Sequence, residues 1–358
     1  MTGRERLNAI MHRQPTDRLC WSTLVDDATL NALPGEMRGM SGLEFYRHLG
    51  CDVLSLNNWG LPYDFRSPEL QWGESVESAW SAEGECATAE YRTPAGTLRT
   101  VTRRAHPVKY LVETLDDLRV YRSMWEQARF AAVDDSEVFA RTDAAIGDDG
   151  IITRFWGPST IPRLLENDFG TTNFYYLLHD HPADMEALIA LIHERELEAF
   201  RILAEGPCEV VTLCENTSTM YISPEVYRRY NGPHVRDFVD IMHAAGTIAL
   251  IHMCGHVRNL LDQIRGTGLD GVHALTPPPT GDTPWELALD VLGENTIIAG
   301  AFDPSIFVLN PVEDIGPALD RLYTPRLRRA PFVLLPGADG IVVPLERFEA
   351  VARWMEGQ

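Results

Sequence analysis

Eight short apolar runs, each closed by polar residues, alternate with longer amphipathic stretches along this chain. The runs are Leu19–Val25, Asp52–Leu56, Ile151–Phe155, Glu209–Leu213, Ile248–Met253, Gly271–Leu275, Thr296–Ala301 and Phe332–Leu335. Such alternation calls for buried parallel strands covered by helices. Pro182–Leu203 places Met185, Leu188, Ile189, Ile192 and Leu197 on one helical face. Pro224–Ala245 opens with Ser223 as N-cap and Pro224 at the first helical position. Val257–Thr267 and Pro284–Leu292 read as shorter helices. The pattern predicts an α/β fold, a (β/α)8 TIM barrel, with residues 1–358 as a single domain. A doubly wound sheet would show a glycine-rich phosphate turn after an early strand, and none is present. Ala87–Arg92 and Thr97–Arg103, joined by Thr93-Pro94-Ala95-Gly96, read as a β-hairpin inserted after the second strand, at about residues 86–104. Asp134–Gly150 reads as an acidic surface helix and loop.

Charge narrows the partners. The 358 residues carry 31 basic and 52 acidic side chains, a net charge of −21. So acidic a chain is poorly suited to phosphate backbones or anionic membranes, so neither nucleic acid nor membrane is expected. Lys109 is the only lysine, which excludes a phosphate-loop lysine. The six cysteines are scattered and form no Cys-x-x-Cys pair, too sparse for a disulfide scaffold. The N-terminus is charged and helical in pattern, and no apolar run reaches the roughly 18 residues of a membrane span. A cytoplasmic protein with reduced thiols is the expectation.

In a (β/α)8 barrel the chemistry collects at the C-terminal ends of the strands. Those ends carry Asp26, Asp27, Asn57, Asn58, Trp59, Arg154, Trp156, Cys214, Glu215, Asn216, His252, Cys254, His273, Asp303 and Asp339. His252-Met253-Cys254-Gly255 is the sharpest feature. Residues two apart on a strand point the same way, so Ile248, Leu250, His252 and Cys254 form one stripe, apolar below and carrying imidazole and thiol at the rim. Both groups are zinc donors. About 0.2 His-x-Cys pairs are expected by chance in this composition, so the residues alone leave a metal pair and a plain strand end both open. His273 reads equally as a satisfied barrel histidine or a site residue, and Asp303 before Pro304 as a helix N-cap or a substrate contact. Trp59 and Trp156 could pack the rim or wall a pocket. Cys214 reads first as a small buried apolar residue, and Asp339 in Pro336-Gly337-Ala338-Asp339-Gly340 as a turn former.

The chain resembles the uroporphyrinogen decarboxylase superfamily, which includes corrinoid-dependent zinc methyltransferases. Thr2-Gly3-Arg4-Glu5-Arg6-Leu7 with Pro15-Thr16-Asp17-Arg18 is similar to the family's start. Ile222-Ser223-Pro224-Glu225 with Tyr230 and Pro233 resembles its central helix. His252-Met253-Cys254-Gly255-His256, Gly268-Leu269-Asp270-Gly271 and Gly300-Ala301-Phe302-Asp303-Pro304 carry the resemblance further. The true decarboxylase has an Arg-Gln-Ala-Gly-Arg motif after its first strand. Here no arginine lies between Arg18 and Arg38, and Asp26 and Asp27 would repel a polyanionic porphyrinogen. The methyltransferase branch holds zinc with a His-x-Cys pair and a later cysteine. His252 and Cys254 match the pair, but no cysteine follows Cys254.

The resemblance therefore implies a zinc-dependent enzyme moving a methyl group between a small methylated substrate and a corrinoid (cobalamin) carried by a partner protein. Zinc would sit on His252 and Cys254, with Asp339 in place of the absent thiolate. His252, Cys254 and Glu215 are the expected catalytic residues. Asn58, Trp59, Arg154, Trp156, Asn216, His273 and Asp303 are the expected pocket. Family analogy adds a homodimer. The competing expectation is a metal-free lyase on a non-porphyrin carboxylate, with Arg154 holding the carboxylate and Asp26 stabilising positive charge.

Overall fold

The computed structural model describes residues 1–56, 61, 65–104, 106–338 and 340–358. Its fourteen strands are β1 (Cys20–Trp21), β2 (Val53–Leu56), β3 (Glu69–Gln71), β4 (Glu77–Glu83), β5 (Cys86–Thr93), β6 (Gly96–Arg103), β7 (His106–Lys109), β8 (Arg129–Ala131), β9 (Gly150–Trp156), β10 (Val210–Cys214), β11 (Ile248–His252), β12 (Gly271–Leu275), β13 (Ile297–Phe302) and β14 (Phe332–Pro336). Eight of them form one parallel sheet in the order β1-β14-β13-β12-β11-β10-β9-β2. These are the eight segments that the apolar runs mark. The sheet curls as a TIM-type barrel, and across its seam the Asp52 amide donates to the Trp21 carbonyl at 2.8 Å.

Side-chain parity divides the barrel into two cores. Cys20, Leu54, Ile151, Val210, Leu250, Ile297, Ala299, Val333 and Leu335 pack together inside it. Leu7, Ile10 and Met11 of the helix Gly3–Met11 join this cluster and plug the N-terminal end. Ile152, Val211, Leu213, Ala249, Ile251, Val272 and Leu334 face outward, into the larger core shared with the covering helices. With the bottom plugged and the interior filled, the open end is the rim where the strands finish.

β4 to β7 form a separate four-stranded antiparallel sheet between β2 and β9, with Ala87 opposite Thr102 and Arg92 opposite Thr97. β3 and β8 pair antiparallel beside it. Ser136–Ile146 is helical. The helix Pro182–Ala204 runs as the periodicity predicts. The predicted helix Pro224–Ala245 is not uniform: a π-helical turn, Tyr227–Asn231, separates Pro224–Val226 from Gly232–Ala244. Pro233 explains it, because its ring has no N–H to donate and crowds the carbonyl one turn back. Ser223 caps the start as expected, its hydroxyl accepting from the Val226 amide at 3.2 Å. Val257–Thr267 is reduced to the short helices Arg258–Leu260 and Leu261–Arg265. No helix among the described residues is long and apolar enough to cross a membrane.

Candidate functional site

Register places the chemistry. Cys214 on β10 is the partner of His252 on β11, and His252 is the partner of His273 on β12. Partnered residues on neighbouring parallel strands point to the same side. Val210, Leu250 and Ile297 below them belong to the interior core. Cys214, His252 and His273 therefore form a row across three strands at the top of the barrel interior, and Cys254 stands two residues above His252 on the same stripe. At Ala274, with φ 61°, the β12 register shifts, so His273 stays inside while Leu275 turns to the outer core.

The two imidazoles touch. Nδ1 of His252 lies 2.8 Å from Nδ1 of His273. The Phe155 ring meets both edge-on, with centroids 5.3 and 6.3 Å away. Burial holds the His252 imidazolium down to about 4, so the ring is neutral at neutral pH. Burial and the neighbouring His252 push His273 lower still. His273 Nε2 is buried without a hydrogen-bond partner.

Above this row the thiol of Cys254 donates to Asn216 Oδ1 at 3.2 Å, and Asn216 Nδ2 donates to Glu166 Oε1 at 2.9 Å. Asn216 adopts a left-handed backbone, φ 48°, which its short polar side chain tolerates. Its amide donates to the His252 carbonyl at 2.9 Å, tying the end of β10 to β11. The Tyr221 hydroxyl donates to the Asn216 carbonyl, and the Tyr175 hydroxyl donates to the Tyr221 carbonyl. Burial, and then the Glu166 charge, push the Cys254 thiol above its usual range. The same causes, with Glu215 and Cys254, take Cys214 up to about 12.

Several expected pocket residues are elsewhere. On β9 the interior side is Ile151, Thr153 and Phe155, so Arg154 and Trp156 face out of the barrel. Arg154 donates to the carbonyls of Ser67, Phe65 and Phe155 and stacks over the Phe65 ring. Trp156 packs edge-on against Phe130 and Phe200 in the outer core. Neither side chain reaches the barrel mouth where the pocket was expected; Arg154 instead lines a cavity outside the barrel with Phe65, Ser67 and Cys208. Asp303 is also a correction: it is fully buried, capping Pro304–Leu309 through the Ser305 and Ile306 amides and holding Thr280 by amide and hydroxyl. Asp26 caps the helix Asp27–Asn31 through the Thr29 amide. Glu215 turns away from the mouth. It is fully buried and accepts from Ser159, Asn231 and Thr217, and burial raises its carboxyl to about 7. These bonds tie the loop after β10 to Ser159 and Asn231.

Asn216 and His273 do lie with His252 and Cys254. Asn58, Trp59 and Asp339 fall outside the described residues. The sequence reading missed Glu166, Tyr221 and Phe155 as site residues. Strand alternation from Ile151 could have found Phe155. Glu166, on the π-helical turn Arg163–Asp168, carries no local signal.

The donor set suits zinc in kind. Neutral imidazole and thiolate are its preferred ligands, and with Nδ1 of His252 engaged by His273, a metal there would have to be bound through Nε2. It is incomplete in convergence: among the described residues no three His, Cys, Asp or Glu side chains gather as a metal site.

A family model described as uroporphyrinogen decarboxylase (URO-D) matches residues 112–357. The fold is similar to that of a methyltransferase from Methanosarcina mazei, with 16% identity, a TM-score of 0.62, and coverage of 100% of this chain and 99% of that one. A D-psicose 3-epimerase with D-tagatose from Clostridium cellulolyticum H10 aligns at 14% identity and a TM-score of 0.36, over 61% of this chain and 81% of that one. No curated protein matches in sequence.

Proposed function

The chain belongs to the uroporphyrinogen decarboxylase (URO-D) family, and we propose that it is a methyltransferase moving a methyl group between a small methylated substrate and a corrinoid protein. The observation that carries this reading is that the imidazole of His252 and the thiol of Cys254 lie two residues apart where β11 ends at the barrel mouth. The fold shared along its whole length with the Methanosarcina mazei methyltransferase supports it. His252 and Cys254 are the proposed zinc ligands. When bound there, zinc supplies Lewis-acid polarisation of the atom that carries the methyl group, or supports an acceptor thiolate.

The chain's own residues do the rest. His273 holds the His252 ring in one tautomer and orientation. Phe155 closes the floor of the mouth with an apolar ring, keeping water from beneath the imidazoles. Asn216 and Glu166 hold Cys254 at the rim. The loops after β10 and β14 leave Met220, 73% exposed, and Ile341 and Val342 open to solvent. Apolar side chains beside the mouth suit a docking corrinoid protein. The lyase reading loses its carboxylate anchor, because Arg154 lies outside the barrel with its guanidinium committed to carbonyl oxygens.

Metal content by plasma mass spectrometry tests the proposal, on wild type beside His252→Ala and Cys254→Ser. About one zinc per chain, lost in both variants, is expected from a single site built on these donors. No metal in any sample after reconstitution with zinc would overturn it.

A further inference from the structure

We infer that the N-terminal end of the barrel, opposite the mouth, binds the phosphoryl group of a small phosphorylated molecule between Arg13, Arg328 and Arg329. This site stands apart from the mouth and does not depend on zinc there. A hollow of about 270 Å³ opens between the end of the helix Gly3–Met11, the start of β13 and the turn Leu327–Arg329 that precedes β14. Its polar lining is Arg13, Gln14, Thr16, Asn295, Arg328 and Arg329. A second hollow of about 130 Å³ shares Ile10, Thr16, Arg328 and Ala330 with it and adds Arg18. Among the described residues, four arginines and none of the chain's 52 acidic side chains line the two. In a chain of net charge −21 this is a local reversal of sign, gathered in a concave surface that focuses it.

The guanidiniums reach the hollow from two ends of the sequence. Arg13 follows the helix Gly3–Met11 in a left-handed backbone, φ 58°. Its Nε donates to the Asn295 carbonyl at 2.9 Å and its Nη2 to Asp270 Oδ1 at 2.6 Å. Those bonds hold the guanidinium in place and leave Nη1 unspent. Arg328 lies over Tyr323, 5.3 Å from the ring centroid, and donates through Nη2 to Gln358 Oε1 at 2.6 Å. Among the described residues neither Arg328 nor Arg329 is in an ion pair, and the Arg329 guanidinium makes no hydrogen bond. Arg13 and Arg18 are matched by Asp270 and Asp52, so the charge left over is that of Arg328 and Arg329.

Two uncompensated guanidiniums repel each other, and an anion between them relieves the repulsion. Each guanidinium is a planar fork of N–H donors that matches a pair of phosphate oxygens, and bonds between ionised partners are stronger than neutral ones. A phosphoryl group offers oxygens to several forks at once, whereas one fork occupies both oxygens of a carboxylate. The side-chain amides of Gln14 and Asn295 add uncharged donors to the lining. Binding here is non-covalent.

Inorganic phosphate and pyrophosphate are the probes, with citrate as the carboxylate comparison. Each is titrated by calorimetry, at fixed ionic strength, into the full chain as wild type, Arg328→Gln, Arg329→Gln, the double variant and Arg258→Gln. Arg258 is an exposed arginine beyond β11, at the other end of the barrel. The expected result is a single saturable phosphate site in wild type and in Arg258→Gln. Each single variant at Arg328 or Arg329 should bind about 10-fold more weakly, as loss of one bond between ionised groups implies, and the double variant should show no saturable binding. Phosphate should also raise the melting temperature of wild type and leave that of the double variant unchanged. Absence of saturable binding in wild type, or equal binding in the folded double variant, overturns the inference. Citrate binding more tightly than either phosphate probe would overturn the phosphoryl assignment in favour of a polycarboxylate.

Discussion

Nδ1 of His252 and Nδ1 of His273 face each other at 2.8 Å, on neighbouring strands and 21 residues apart in sequence. Only one of the two nitrogens can carry the proton. For Nε2 of His252 to offer a lone pair to a metal, its Nδ1–H must donate to His273. His273 is then protonated on Nε2, which is buried without a partner. The tautomer that suits metal binding leaves a buried donor unpaired, at a cost of about 1–3 kcal/mol.

That relationship predicts opposite effects of one substitution. His273→Phe removes the acceptor that orients His252 and also the unpaired donor. Zinc affinity should fall roughly 10–100-fold, while the melting temperature holds or rises. Isothermal titration with zinc and thermal unfolding of the metal-free protein check the pair. A variant that melts lower with unchanged zinc affinity would show His273 to be a packing residue only.

Asp303 predicts a purely structural outcome. Asp303→Ala strips the cap of Pro304–Leu309 and the bonds to Thr280, and should destabilise the protein by about 2–3 kcal/mol. Zinc content of the folded variant should stay at the wild-type level. Denaturant unfolding with metal analysis of the same samples reads both.

Glu196 predicts a pH dependence. It is fully buried, accepts from the Thr160 amide and hydroxyl, and burial raises its carboxyl to about 7 against the pull of Arg163. The folded state holds the proton to higher pH than the unfolded chain does. The stability it contributes is full below the ordinary glutamate range near 4.5 and is lost as pH rises towards about 7. Glu196→Gln should flatten that decline, so that the variant gains on wild type from pH 5 to 7.5. Unfolding measured for both proteins across that range gives the difference curve. Parallel curves would mean that Glu196 ionises alike in both states.

Gly300 predicts a clash. A Cβ there would stand 2.7 Å from the rings of Phe332 and Trp285. Gly300→Ala should destabilise by about 1–3 kcal/mol through overpacking between β13 and its covering helix. The melting temperature reports it, and a change within error would show that the Trp285 ring can swing aside.

The sequence by itself determined the barrel and one stripe of its mouth. The eight strands are short apolar runs, and the helices between them carry a 3.6-residue period, both of which are local signals. The Ile248, Leu250, His252, Cys254 stripe also follows from strand alternation within seven residues. Tertiary structure decided the rest. β9 is buried on both faces, so its composition does not say which face is inside, and Phe155 rather than Arg154 and Trp156 reaches the mouth. His273, Cys214 and Glu166 meet His252 and Cys254 only through strand register and a π-helical turn. Those contacts join residues from 21 to nearly 90 positions apart, counted along the sequence, and no local period encodes them. Asp303 and Glu215 show the reverse: polar residues at strand ends that read as site candidates are consumed by the backbone amides and hydroxyls that burial would otherwise leave unpaired.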